Sequence, residues 1–331
     1  DPLKRSGPAL KVERDTPIES VPIEDVRCRF RTCYPTEVMA LDLAALNYSV
    51  KGDGSLLSLR LEMSADGHLG ELELSKLRLH FAGERYISQM LYLSLLRNLD
   101  GIELIPLDGA GKPIDGVSGK PMAFKIPGDR VKPVGFAEEE ALIPYPLNTF
   151  RGYRYLQEYF AFQDKFLFVD VHGLDILKAL PEDTLKQMRD LEFRFDIRKS
   201  GIMRMRPTLD NVKLFCTPIV NLFKHDALPI RLDGKQDEYL LLPAEYDLEN
   251  CGVFSVETVT GWKPGGLGYQ EYVPFESFEH DPSFDVPNSR PHYSIRQRSS
   301  LLHDGLDTYL SFGIRHTEAH ETLSIELMCT N

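Results

Sequence analysis

The sequence predicts a mainly β chain with a few short helices (a β-rich α+β class), built as two sandwich- or barrel-like modules joined by an aromatic central segment. Three observations carry this. Apolar and polar residues alternate over many short runs, as where Leu57, Leu59 and Leu61 interleave with Ser58, Arg60 and Glu62, which is the period of a strand with one buried face. Turn signals such as Gly52-Asp53-Gly54 and Asp66-Gly67 separate these runs. Near the middle, the stretch 144–174 gathers Tyr145, Tyr153, Tyr155, Tyr159, Phe150, Phe160, Phe162, Phe166 and Phe168, and rings this crowded need cover.

Residues 1–25, with Pro2, Pro8, Pro17 and Pro22 among charges, read as an extended lead-in. A first β-rich domain is expected over 26–140, with strands at 26–32, 38–49, 56–63 and 71–81. A slip in the alternation near Ser75 predicts a β-bulge. The period then changes: Ile87, Met90, Leu91, Leu95 and Leu99 form one face of a helix over 84–99, ended by Asp100-Gly101. Strands at 102–107 and 122–126 flank the glycine-rich segment 108–120.

A second β-rich domain is expected over 141–331. Its opening stretch predicts a helix over 152–160 and a strand over 166–171 buried on both faces. Placed at the joint, this stretch is expected to be mostly buried between the two domains, so Tyr153→Ala or Phe166→Ala should cost about 3–5 kcal/mol. A short helix follows Pro181, then a strand over 191–197. The apolar run 214–223 contains Pro218, which predicts an edge, bulge or strand–loop junction. Further strands are expected at 239–242, 253–259, 293–297, 308–315 and 322–329. Between them, 263–291 is a long loop rich in Gly, Pro and acids, and loops of this length usually carry function or mobility.

The totals narrow the function classes. With 331 residues two domains fit, and no apolar run approaches the about 20 residues a membrane-spanning helix needs. A net charge of −12 with scattered basic residues disfavours nucleic-acid binding. The five cysteines, Cys28, Cys33, Cys216, Cys251 and Cys329, follow no metal-ligand spacing; free thiols in a reducing compartment are expected, and with them the cytoplasm. The chain opens on Asp1 without an initiator Met or a signal-peptide pattern and stops directly after a strand-like run, so a fragment cut at both ends is expected.

Catalytic patterns fail one by one. His316 and His320 lie four apart near Glu318 and Glu321, but the HExxH order is missing and the segment joins two strand-like runs, which reads as a hairpin turn. Gly109-Ala110-Gly111-Lys112 lacks the spacing and the following helix of a phosphate loop. Gly265-Gly266-Leu267-Gly268 has no strand–turn–helix context, and Ser299-Ser300 with His303-Asp304 has no nucleophile elbow. Among 50 acids no carboxylate pair stands out, and a solvated face is the expectation. No cofactor, metal or catalytic residue is expected. What remains is apolar surface needing cover: the central stretch, the run 216–223, and the loop residues Trp262, Tyr269, Tyr272, Phe275 and Phe278, which are candidate interface positions.

Four stretches then resemble a known family. They are Cys28-Arg29-Phe30-Arg31-Thr32, the central run from Phe150 to Phe168, Cys216-Thr217-Pro218-Ile219-Val220-Asn221-Leu222-Phe223 with Pro229-Ile230, and Tyr293-Ser294-Ile295-Arg296. In order and spacing they are similar to the TssF (VasA, ImpG) family of type VI secretion system baseplate subunits. Gln163 stands where family members often carry Pro. The resemblance implies a structural, non-enzymatic protein without cofactor, and a longer parent with helical regions beyond both ends. It implies assembly with TssG, a second TssF copy, TssK and TssE into a wedge around the VgrG hub, which supports sheath assembly and effector delivery. It also marks Phe150, Tyr153, Tyr155, Glu158, Tyr159, Phe160, Phe162, Phe166, Phe168, Asn221 and Phe223 as family-motif core or interface positions. The competing expectation is a β-sandwich carbohydrate-binding or glycoside-hydrolysing module, which needs an aromatic-lined cleft with a carboxylate pair. A secreted adhesin is disfavoured by the lack of a signal peptide and of a disulfide framework.

Overall fold

The computed structural model describes residues 9–22, 27–64, 67–116, 119–145, 150–198, 205–232, 234–246, 250–262, 268–275, 291–301, 304–312 and 321–331. These form a mainly β chain with three α-helices, α1 (Arg85–Arg97), α2 (Arg151–Ala161) and α3 (Glu182–Gln187). By residue contacts the chain divides into two units, Asp1–Thr16 with Thr32–Pro218, and Pro17–Arg31 with Ile219–Asn331.

The first unit has its two larger sheets, both antiparallel, on one apolar core. The larger runs in the order Leu41–Lys51, Gly54–Met63, Asp190–Ile197, Leu99–Leu107, Phe124–Pro127. Leu57, Leu59 and Leu61 face inward, and Phe195 and Phe193 sit opposite Leu57 and Leu59 across the ladder. Cross-strand aromatic–aliphatic pairs of this kind stabilise a sheet by about 0.2–1 kcal/mol each relative to an Ala–Ala pair. The smaller sheet runs Val131–Pro133, Phe168–His172, Lys76–Phe81, Val212–Leu214. Helix α1 lays Ile87, Leu91 and Leu95 on the core, and the Glu84 carboxylate caps it, accepting from the backbone N–H groups of Tyr86 (3.1 Å) and Ile87 (3.0 Å).

This topology moves the expected boundary. The sequence reading divides the chain near residue 140, but strands from both sides of that point interleave. Phe168–His172 lies between Val131–Pro133 and Lys76–Phe81, and Asp190–Ile197 lies between Gly54–Met63 and Leu99–Leu107. The aromatic central stretch is therefore part of the first unit rather than a joint, and the division falls at Pro218–Ile219. The lead-in is structured too: Leu10–Val12 pairs with Thr36–Val38, and Pro17–Glu19 with Arg29–Arg31. The slip near Ser75 is no bulge. Leu69–Glu71 is a 3-10 turn, and the strand that starts at Lys76 pairs with Phe168–His172 in unbroken register.

The second unit centres on Glu321–Thr330, whose Leu323, Ile325, Leu327 and Cys329 alternate inward. Neighbouring strands run Phe223–Asp226, Glu321–Thr330, Gly252–Trp262, Tyr269–Pro274, His292–Ser299, Leu306–Phe312, Glu238–Leu240. Tyr269–Pro274 lies within the expected long loop, and it pairs with Gly252–Trp262 and, in parallel, with His292–Ser299. The apolar run around Pro218 breaks into Val212–Leu214, Ile219–Val220 and Phe223–Asp226, as a proline without an N–H requires. All five cysteines are free thiols, with Cys33, Cys251 and Cys329 buried.

Candidate protein interface

Helix α2 carries Tyr153, Leu156 and Phe160 at spacings of three and four, one stripe of a helix. The sequence reading turns that stripe inward; the structure turns it out. Tyr153 is 60% exposed, Phe160 78%, and Phe150, just before the first turn, 72%. The inward face carries charge instead. Arg154 and Glu158 retain 4% and 3% of their exposure, and Lys165, in the 3-10 turn Gln163–Phe166, retains none.

Buried charges persist only where each finds partners, and the segment 134–142 supplies them. The Glu158 carboxylate accepts the Leu142 N–H at 2.7 Å and a short hydrogen bond from the Lys165 ammonium. Arg154 donates to the carbonyls of Phe136 and Ala137, both at 3.0 Å, and its Nε lies 3.9 Å from Glu158. Lys165 also donates to the Glu140 carbonyl at 3.0 Å, and the Tyr155 hydroxyl to that of Phe136 at 2.8 Å. The segment is itself braced, since the Glu140 carboxylate accepts from the backbone N–H groups of Gly135 (2.6 Å) and Ala137 (3.0 Å). Burial pulls the Lys165 ammonium below its ordinary pKa, and the Glu158 carboxylate opposes that pull without cancelling it. The helix is thus pinned by its polar face, and its apolar face is left to solvent.

The expected core residues separate accordingly. Phe166 and Phe168 are buried. The Phe166 ring lies 5.1 Å from Phe136 and 6.2 Å from Tyr159, and Phe168 stacks on His80 at 4.1 Å. Phe150, Tyr153, Tyr159, Phe160 and Phe162 are exposed, and Tyr155 is half-buried. Burial of the whole stretch is therefore corrected: its strand is core and its helix is surface. Phe136, Arg154 and Lys165 are not among the positions expected from sequence. The signal for the last two was present, because a basic and an acidic residue four apart inside an aromatic run, with a Lys seven further on, mark a polar helix face.

Asn221 and Phe223 belong to the second unit and are structural there. The Asn221 side-chain oxygen Oδ1 accepts from the Thr330 hydroxyl (2.9 Å) and the Asn331 N–H (2.8 Å). Phe223 is core, with the Arg29 guanidinium 5.6 Å above its ring. Of the loop aromatics, Trp262 and Tyr269 face each other across the ladder and are exposed, as is Phe275. Tyr272 is buried, its hydroxyl donating to Glu321 at 2.9 Å, and burial pushes its phenol pKa up. Phe278 lies outside the described residues, as do His303, Gly265, Gly266 and the pair His316 and His320. The turn at Gly109–Gly111 is closed by Asp108, whose carboxylate accepts the Ala110 and Lys112 N–H groups at 2.9 Å. Among the described residues no cluster of three or more His, Cys, Asp or Glu could hold a metal. A groove on the outer face of the five-stranded sheet holds Asp100, Glu103, Glu192 and Asp196 among Lys51, Lys125 and Arg194, with no aromatic ring in its lining.

Comparison with known proteins agrees in three ways. The family profile described as "Type VI secretion system, TssF" matches residues 5–331. The type VI secretion system component TssF1 of Pseudomonas aeruginosa is 27% identical over 296 residues, 85% of this chain and 44% of that protein. A chain of the cryo-electron microscopy structure of the type VI secretion system TssK–TssF–TssG baseplate subcomplex superposes with a TM-score of 0.79 at 28% identity, over 99% of this chain and 58% of that one. The chain thus spans about half the length of the relatives it matches.

Proposed function

From the premise that the chain belongs to the type VI secretion system TssF family, we propose that it is the β-rich part of a structural baseplate subunit, non-enzymatic and cytoplasmic, working through protein contacts. In this reading the full protein joins TssG, TssK, TssE and a second copy of itself in a wedge around the VgrG hub and supports sheath assembly and effector delivery. TssK and TssG are the companions in the similar subcomplex. The observation that carries the reading is α2, a helix whose apolar stripe faces solvent while a buried Arg154–Glu158–Lys165 network locks it in that orientation. An exposed apolar stripe flanked by polar surface is the usual mark of a protein contact, and exposed Tyr and Phe are the residues such contacts enrich.

The test is co-purification of the full-length protein with TssG and TssK from the same source, with and without Tyr153→Asp and Phe160→Asp. Wild type should hold the complex. The double variant, folded by circular dichroism, should lose at least one partner, a fall of about 100-fold in affinity if two buried aromatics are removed. A double variant that keeps both partners would remove α2 from the interface, and a wild type that binds neither would remove the baseplate reading.

A further inference from the structure

A second surface lies on the other side of Phe136. Between α1 and the segment 127–136 runs an open groove of about 770 Å³. Tyr92, Leu93 and Leu96 of α1 form one wall, and Val131, Pro133 and Phe136 form the other. Leu93 and Phe136 are exposed large apolar side chains facing this groove. Two turns of helix about 10 Å across occupy roughly 850 Å³, so the groove has the capacity of a short stretch of helix lying along it.

Two observations identify the occupant. The strand on the groove's far wall, Val131–Pro133, edges the smaller sheet, but it is only three residues long and its last residue, Pro133, has no N–H to offer, so it is a poor template for an added strand. An α-helix is the element that needs no backbone partner. The charges on the lining are the second. Asp100 and Arg198 satisfy each other at 2.8 Å. Of the rest, Arg97, Lys132 and Asp129 line the groove, and neither cation has an ion-pair partner among the described residues. The lining thus carries three cations, Arg97, Lys132 and Arg198, against two acids, Asp100 and Asp129, a small positive excess on a chain of net charge −12.

We propose that this groove binds an amphipathic helix of another protein, apolar on the side laid against Leu93 and Phe136 and acidic along its edges. The inference rests on the assembly reading for its context, but its test does not need the assembly. Helix-in-groove docking reads apolar anchors at spacings of three, four and seven, and edge charges set orientation and partner choice.

The experiment is a fluorescence-anisotropy titration of the 331-residue chain with two synthetic peptides. Both carry leucines at those spacings over about 18 residues, long enough to be helical; one is edged with Glu and the other with Lys. The Glu peptide should bind saturably and the Lys peptide about tenfold or more weakly. Leu93→Asp should abolish binding, and the pair Arg97→Glu with Lys132→Glu should reverse the preference. Tyr153→Asp, on the α2 stripe, should change nothing, which separates this groove from the surface proposed above. No saturable binding, equal affinity for both peptides, or indifference to both sets of groove variants would overturn the proposal, whatever the co-purification shows.

Discussion

At the scale of single residues, two buried carboxylates decide how the middle of the chain is held. Glu158 and Lys165 form an ion pair with almost no exposure, and removing one partner strands the other. Glu158→Gln or Lys165→Met should therefore cost about 3–5 kcal/mol in urea unfolding. Phe166→Ala should cost about as much through its cavity. Tyr153→Ala, changing an exposed ring, should stay within about 0.5 kcal/mol. Asp170 is the second case. Burial alone would raise its pKa, but the Arg78 guanidinium, bound through two hydrogen bonds of 2.7 and 2.8 Å, holds it below the ordinary carboxylate range. The folded chain thus binds fewer protons here than the unfolded one. The stabilisation is complete above about pH 4, the unfolded value, and is lost as pH falls through the folded pKa. Asp170→Asn should destabilise the chain at neutral pH and flatten the acid limb of its stability curve below about pH 4, measured by urea midpoints at stepped pH.

Among the elements, strands were more legible than faces. The alternation of Leu57, Leu59 and Leu61 and the periodic apolar face of α1 announce themselves because one side of each faces a core and the other water. The α2 stripe is just as periodic, and periodicity alone cannot say which side of a helix is inside. That is settled by partners brought from segment 134–142 by tertiary structure. Tyr269–Pro274 was hidden differently: it pairs antiparallel with the preceding strand Gly252–Trp262, but it is short and stands in a stretch rich in Gly, Pro and acids that masks its alternation. Within the candidate site, the aromatic positions and Glu158 are legible in the sequence; Arg154 and Lys165 leave a spacing signal, but their pairing with Glu158 beneath the rings is fixed by tertiary structure. Helix starts follow local rules, so α1 offers a clean check. Glu84→Ala removes a carboxylate that accepts two backbone N–H groups and should lower stability by about 1 kcal/mol, read as a shift in urea midpoint without a change in slope.

For the whole molecule, each unit has its own apolar core. Cavity-forming variants should therefore act separately: Leu191→Ala and Leu327→Ala should each lower one of two calorimetric transitions and leave the other in place. A single transition shifted by both would show the units to be one cooperative body. One feature of the chain path also sets an order of events during synthesis. Residues Pro17–Arg31 belong to the second unit, and there the Asn331 side chain accepts from the Arg29 N–H at 3.0 Å and donates to the Arg27 carbonyl at 3.2 Å. Arg29 and Asn331 are 302 positions apart. At roughly 5–20 residues per second, the early segment leaves the ribosome about 15–60 s before its last partner is made. In that interval the two early strands, Pro17–Glu19 and Arg29–Thr32, have each other as ladder partners and then gain Ile219–Val220, so the clasp from Asn331 is the last tie of the small sheet to close.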